Sequence, residues 1–183
     1  MHAPYLIGPK LYLRALDRAD APMLQCFMNH PEVNHSLISW RPFTAEMEGE
    51  WVERMGRSEQ DVVLGISPLA DDRLIGVCGL HAIDWRNRSA TFGIVIGEPD
   101  QWGKGYGTEA TRMLTRHGFE RMNLHRIQLD VNESNERGRR AYEAVGYRRE
   151  GVFRGAIFRD GGYADVHRMA ILADDWKART AKG

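Results

Sequence analysis

Apolar residues recur at helical spacing in two segments of the first third of the chain. In the first segment the residues at this spacing are Met23, Leu24, Phe27 and Met28. They predict a helix that begins near Asp17 and ends at Pro31, after a short strand, LYLRAL, at 11–16. The second segment, PFTAEMEGEWVERM at 42–55, predicts another helix with Thr44 as its N-cap.

From residue 61 onward the pattern changes to short runs rich in β-branched residues. The runs are DVVLGI at 61–66, RLIGVCGLHAI at 73–83 and SATFGIVI at 89–96. Segments with turn chemistry, LADD and DWRNR, separate them at hairpin spacing. We therefore expect an antiparallel meander in this part of the chain.

The last third of the chain alternates helices and strands. TEATRMLTRHGFERM at 108–122 predicts an amphipathic helix, and RIQLDV at 126–131 alternates strictly between apolar and polar residues, as a strand does. A second helix is expected over 135–145, with Gly146 as its left-handed C-cap. DGG at 160–162 predicts a closing β-hairpin. A strand–helix–strand order beside a meander predicts an α/β fold with a mixed sheet.

Length and composition are those of one globular domain, which we expect to span 1–183. The chain has 25 basic and 25 acidic residues, so its net charge gives no support for a nucleic acid or a membrane surface as partner. No apolar run approaches the roughly 20 residues that cross a bilayer, and the first residues lack the pattern of a secretory signal. We expect a cytoplasmic protein.

Cysteine and histidine give no metal signal in this sequence. Cys26 and Cys78 lack the close spacing of a metal or redox pair, and both lie among apolar residues, so we expect buried free thiols. The histidines show no paired ligand spacing, and His117, on a predicted helix, is expected at the surface or in packing. No metal cofactor is expected.

The segment QWGKGYGTEA at 101–110 places three glycines just before a helix. Glycine permits positive φ and lets a ligand approach the backbone, and the free N–H groups of a helix N-terminus bind phosphate. The spacing fits neither a Walker loop, because Lys104 lies inside the glycines, nor a dinucleotide fingerprint, because Thr108 replaces its third glycine. The alternatives are a glycine-rich turn without ligand and another kind of pyrophosphate site.

QWGKGYG at 101–107 resembles the Q/R-x-x-G-x-G/A motif of the GNAT superfamily of N-acetyltransferases. The order of elements along nearly the whole chain, including NERGRRAYEAVGY at 135–147, resembles that superfamily as well. Within it, the chain is most similar to the branch of the ribosomal-protein N-terminal and spermidine acetyltransferases. The resemblance implies an antiparallel meander, flanking helices, and two central strands that splay apart to admit the thioester of acetyl-CoA.

The resemblance also implies a role for individual residues. Tyr142 matches the tyrosine that protonates the departing thiolate. The residues expected to bind the cofactor, through loop amides, the pantetheine-pairing strand and the helix that follows, are Ile94, Val95, Ile96, Gln101, Trp102, Gly103, Lys104, Gly105, Tyr106, Gly107, Thr108 and Asn135. From the residues alone, Asn135 is equally a good N-cap and Tyr142 a buried aromatic residue. A strand amide near Val95 or Ile96 is the expected oxyanion donor.

The general base is the point at which the sequence departs from its relatives. They often carry a glutamate where this chain has Thr91, so a relayed water, Asp84, Glu98 or His81 has to be considered. Deprotonating a lysine-like amine of pKa ~10.4 at pH 7 costs about 4.6 kcal/mol, whereas an α-amino group costs only about 1 kcal/mol. The absent glutamate therefore inclines the hypothesis towards a weakly basic amine.

The sequence thus predicts an acetyl-CoA-dependent N-acetyltransferase that acts on a primary amine, either a protein N-terminus or a small molecule. A polyamine or antibiotic acetyltransferase is an alternative, and a non-catalytic acyl-CoA-binding module is an alternative of another class. SWRPF at 39–43 lies where relatives build the wall of the acceptor site, and Arg139, Arg140, Arg148 and Arg149 are expected on a solvated face, with one of them available to the 3′-phosphate of coenzyme A. Dimers are common among relatives, so a homodimer is an open alternative.

Overall fold

A computed structural model describes residues 3–37 and 41–181 of the chain. Its strands and helices within those ranges are β1 (Pro4–Ile7), β2 (Leu11–Ala15), α1 (Ala21–Asn29), α2 (Pro31–Asn34), α3 (Ala45–Gly56), β3 (Val62–Pro68), β4 (Gly76–Asp84), β5 (Ser89–Ile96), α4 (Tyr106–Glu120), β6 (Arg126–Asn132), α5 (Glu136–Val145), β7 (Arg148–Arg159), β8 (Gly162–Leu172) and α6 (Ala173–Thr180). Ser39 and Trp40 of the expected acceptor wall lie outside the described residues.

All the described strands join one sheet in the order β1-β2-β3-β4-β5-β6-β8-β7. Every pair of neighbours is antiparallel except β5 and β6, which are parallel and are connected through α4. The predicted meander of β3, β4 and β5 and the α/β fold with a mixed sheet are therefore confirmed.

Several local predictions are confirmed by the backbone. The side chain of Thr44 accepts a hydrogen bond from the amide of Met47 and caps α3. Gly146 ends α5 with a positive φ of 120°. Asp160 and Gly161, both at positive φ, form the two-residue turn between β7 and β8, which is the backbone that such a hairpin requires.

The hydrophobic core lies between the sheet and the buried face of α4. Ala110 and Leu114 of α4 are fully buried, as are Ile127 and Leu129 on the inward face of β6. His117 is buried on the same helix, with its ring edge-on to Tyr5, so its role is packing. No helix in the described part of the chain is long and apolar enough to span a membrane.

The structure corrects some of the expectations. Cys78 is buried as predicted, but Cys26 is exposed, because it lies on the outer side of α1 whereas Leu24 and Phe27 face inward. The first helix ends at Asn29, with His30 extended before Pro31, as predicted, but Pro31 then begins a further short helix, α2, since proline is well suited to a first helical position. The helix α4 begins at Tyr106, before the Thr108 expected from the sequence.

Candidate active site

The two parallel strands of the sheet touch only at their beginning. β5 and β6 are in register from the pair Ser89 and Arg126 to the pair Thr91 and Gln128. Beyond Thr91 the strand β5 stays paired with β4 as far as Ile96, while its other edge has no strand neighbour. The splayed central strands are therefore confirmed, and they open a slot that begins at Thr91.

The direction of the backbone groups along β5 decides which amides face this slot. The carbonyl of Ile96 points away from β4 and accepts a hydrogen bond from Trp102 Nε1 at 2.9 Å, whereas the amide of Gly97 bonds back to Ile75 at 2.9 Å. The N–H and C=O groups of successive residues point to opposite edges of an antiparallel strand. The amides of Ile94 and Ile96 therefore face the slot, and the amide of Val95 faces β4.

The glycine-rich loop crosses the open end of the slot. Gly103 and Gly105 have φ values of 77° and 89°, a conformation that glycine adopts at little cost. Gly105 is the N-cap residue of α4, so the first amides of that helix, from Tyr106 to Thr108, have no intrahelical acceptor. The loop and helix N-terminus therefore present a concave row of N–H groups with the positive end of the helix dipole behind it.

Trp102 fixes this loop from both sides. Its indole nitrogen is bound to the carbonyl of Ile96, and the guanidinium of Arg137 lies 3.8 Å from the centre of its ring. Lys104 turns back along the loop, where its Nζ donates to Gln101 Oε1 at 3.1 Å. The loop is thus held to β5 and to α5 at once.

A cleft of about 300 Å³ connects the slot, the loop and α5. Every predicted site residue except Lys104 lines it. The sequence had not singled out Val33 and Ser36, from the α2 region, or Arg137, yet all three line the cleft. Arg140 lines it too, and it belongs to the arginines expected on a solvated face with one of them available to the 3′-phosphate of coenzyme A. Among its described lining residues there are two arginines and no carboxylate, so the cleft suits an anionic ligand.

Asn135 lies at the N-terminus of α5 and Tyr142 in its last turn. Asn135 caps the helix, because its Oδ1 accepts from the amide of Gly138 at 2.9 Å, and the residue also lines the cleft. Tyr142 is buried, with its ring edge-on to Phe92 at 6.1 Å. Burial penalises the phenolate and raises the pKa of Tyr142 to about 12, so the hydroxyl keeps its proton at neutral pH.

The three residues considered as general base differ in their surroundings. Asp84 accepts hydrogen bonds from the backbone and side chain of Asn87 within a turn, and these bonds lower its pKa. The carboxylate of Glu98 is ion-paired with Arg73. His81 lies on β4 directly opposite Thr91, at the point where the slot opens. Of the three, only His81 is at that point.

The fold and the cleft are those of an acyltransferase that holds a thioester cofactor between splayed strands. Residues 10–148 match the family model of the acetyltransferase (GNAT) domain. The chain belongs to the GNAT family.

Relatives in this family are similar over most of their length. The chain is 30% identical to the spermidine N(1)-acetyltransferase of Vibrio cholerae over 177 residues, which cover 95% of this chain and 99% of that protein. It is 32% identical to the putative ribosomal N-acetyltransferase YdaF of Bacillus subtilis over 109 residues, 60% of this chain and 59% of that protein. The crystal structure of the Vibrio cholerae spermidine N-acetyltransferase with CoA and spermine superposes with a TM-score of 0.85 at 28% identity, covering 93% of this chain and 99% of that one.

The protein is therefore an acetyl-CoA-dependent N-acetyltransferase that acts on an amine. Acetyl-CoA is its co-substrate, and no group of described residues has the composition of a metal site.

Proposed function

We propose that the cleft binds acetyl-CoA with its pyrophosphate on the loop and its pantetheine arm along β5. The single observation that carries this assignment is the free edge of β5 beyond Thr91, which faces the amides at the N-terminus of α4 across one cleft. An extended pantetheine arm can pair with such an edge as an added strand does. The loop amides and the helix dipole then meet the pyrophosphate.

The free amides of β5 and the cations of α5 complete this assignment. Because the amides of Ile94 and Ile96 face the slot, the oxyanion of the tetrahedral intermediate falls to one of them rather than to Val95. Arg137 and Arg140 line the cleft and are placed to neutralise phosphate charge. Tyr142 lines the same cleft and would donate a hydrogen bond to the leaving sulfur.

For the acceptor, we propose a primary amine of low charge, either an α-amine of a peptide N-terminus or a small molecule. Thr91, at the beginning of the slot, cannot take up a proton at neutral pH, and an amine of low pKa costs least to deprotonate. A polyamine is the second candidate, because relatives of this chain carry the name spermidine acetyltransferase. The low cost of deprotonating a weakly basic amine supports the first candidate.

An acceptor panel tests these alternatives directly. Purified protein is given acetyl-CoA and, at equal concentrations, short peptides with free N-termini, spermidine, an aminoglycoside and an arylamine, and thiol release is followed. Faster turnover of a peptide or arylamine is the expected result. A value of kcat/KM that is highest for spermidine would overturn the preference for low charge and establish the polyamine alternative.

Calorimetry separates the proposed cofactor site from the proposed acceptor class. If acetyl-CoA binds tightly while no acceptor in the panel releases thiol, the proposed acceptor class has failed and the cofactor assignment stands. The single domain over 1–183 and the cytoplasmic location stay predictions, and the homodimer stays an open alternative.

A further inference from the structure

His81 and Thr91 form a directly opposed pair on β4 and β5. Opposed residues in an antiparallel pair project from the same face of the sheet, with Cβ atoms about 5 Å apart. The same register places Thr91 opposite Gln128, in the last pair before β5 and β6 diverge. The side chain of His81 therefore leaves the sheet at the beginning of the slot, beside Thr91.

Two glycines leave room for the imidazole over the slot. Gly79 and Gly93 are the next opposed pair on that face, one step further along the splayed part of β5. A Cβ added at Gly79 would lie 2.5 Å from His81 Nε2, and one added at Gly93 would lie 3.7 Å from the same atom. Nε2 thus lies over bare backbone of both strands, and it has no hydrogen-bond partner among the described residues.

Asp61 fixes the orientation and the tautomer of the ring. Its Oδ1 lies 2.9 Å from His81 Nδ1, and its Oδ2 accepts from Ser58 Oγ at 2.6 Å. Burial works to raise the pKa of Asp61, but the hydrogen bonds from Ser58 and His81 outweigh it, and the net shift is downward. An ionised carboxylate can only accept, so the neutral form of the ring carries its proton on Nδ1 and its lone pair on Nε2.

The ring also lies on the opposite face of β5 from Tyr142. Successive residues of a strand project to opposite faces. Phe92 packs edge-on against Tyr142, whereas the neighbouring Gly93 lies under His81. A hydrogen-bond donor and a free imidazole lone pair thus flank the same stretch of β5.

We propose that His81 is the general base of the acetyl transfer and that Asp61 is its positioning residue. This inference rests on the proposed function, namely a primary amine that attacks acetyl-CoA held along β5. For the proton transfer, either the amine or one bridging water has to occupy the space above Gly79 and Gly93, next to His81 Nε2.

Proton transfer to His81 begins the acetyl transfer. Nε2 takes one proton from the ammonium form of the acceptor, and the nitrogen lone pair that this frees forms the C–N bond while the carbonyl π electrons move to oxygen. When the oxyanion collapses, the C–S bond breaks and sulfur keeps the pair. The second proton lost by nitrogen passes to the departing sulfur, which the Tyr142 hydroxyl stabilises by a hydrogen bond, and His81 releases its proton to water.

The test compares His81→Gln and Asp61→Asn with wild type on two classes of acceptor. With an alkylamine, which is protonated at pH 7, kcat/KM should fall about 100-fold in His81→Gln, the usual range for loss of a general base. With an arylamine, which is already neutral, the loss should stay within about threefold, because no proton has to be removed before attack. The KM for acetyl-CoA should not change in either variant.

His125→Gln is the matched control. His125 is exposed in the loop before β6, and the same chemical change there should leave both acceptors unaffected. Equal losses for the alkylamine and the arylamine in His81→Gln would overturn the assignment as base, and so would a loss below twofold with the alkylamine.

Nitrogen NMR of the imidazole supplies a readout that needs no turnover. The wild-type ring should show Nδ1 protonated and Nε2 bare, and Asp61→Asn should change this to a mixture of tautomers. A protonated Nε2 in wild type would overturn the proposal. If no acceptor is acetylated, the proposed acceptor class has failed, and the NMR result still decides whether His81 is arranged as a base.

Discussion

Removing the hydroxyl of Tyr142 should slow turnover without weakening the fold. With its pKa at about 12, against ~8.5 for an ordinary thiol, complete proton transfer from Tyr142 to a thiolate would cost about 5 kcal/mol. A hydrogen bond to the departing thiolate avoids that cost and is worth about 2 kcal/mol when one partner is charged. We therefore expect Tyr142→Phe to lower kcat about 30-fold at unchanged KM for acetyl-CoA.

Tyr147 provides the control, since its ring centre lies 6.1 Å from that of Tyr142 in the same aromatic cluster. The hydroxyl of Tyr147 is hydrogen-bonded to Thr115 Oγ1 at 2.9 Å and is buried, so Tyr147→Phe should cost about 1–2 kcal/mol of unfolding free energy and leave kcat intact. Steady-state thiol release gives kcat for each variant, and urea unfolding gives the unfolding free energy of each. A kcat for Tyr142→Phe within twofold of wild type would refute the role of its hydroxyl, and an equal loss of kcat in both variants would show that packing alone is responsible.

Three further predictions concern the loop, the fold and the thiols. Gly105→Val should abolish acetyl-CoA binding in calorimetry while the far-UV spectrum is retained, because a branched residue is strained at a φ of 89°; binding within tenfold of wild type would contradict this. Asp20→Asn should lower the unfolding free energy by about 3–5 kcal/mol in urea, since it leaves the buried guanidinium of Arg14, 2.8 Å from Asp20 Oδ1, without its counter-charge; a loss below about 1 kcal/mol would count against the pair. Iodoacetamide at pH 8 should label Cys26 in the native protein and Cys78 only after unfolding, because burial raises the pKa of the Cys78 thiol; rapid labelling of both thiols in mass spectra would be inconsistent with the core.

The features that the sequence predicted correctly are those encoded by neighbours along the chain. The glycine-rich loop needs particular backbone conformations at successive positions, and the structure has Gly103 and Gly105 at positive φ. The inward residues of β6 were readable from strict alternation in RIQLDV. The hairpin turn at Asp160 and Gly161 depends on only two residues.

The elements that escaped prediction carry weak local patterns. β1 is an edge strand whose residues are mostly exposed, so it shows no alternation of apolar and polar positions. In α6 only Trp176 is buried, which gives one apolar anchor rather than a stripe. Both elements are stabilised by contacts with the rest of the fold rather than by their own sequence pattern.

Parts of the site depend on tertiary contacts that no local pattern reveals. Arg137 reaches the ring of Trp102 from another helix, and His81 reaches Asp61 from a neighbouring strand. An arginine in a charged helix or a histidine in a strand is ordinary by itself. Only the register of β4 and β5 shows that His81, rather than Asp84 or Glu98, is beside Thr91.

That register also explains how the chain can do without a carboxylate at Thr91. A directly opposed pair places side chains about 5 Å apart on one face, which is close enough for either member to reach the same amine. A general base on β4 instead of β5 still projects from the face of the sheet where the amine attacks. This arrangement requires small residues next to the base on that face. Gly79 meets this condition, because a Cβ there would lie 2.5 Å from the imidazole nitrogen that has to stay free. The glycine at 79 and the threonine at 91 therefore belong to one arrangement. In it, β5 supplies the amides that face the cofactor, and β4 supplies the base.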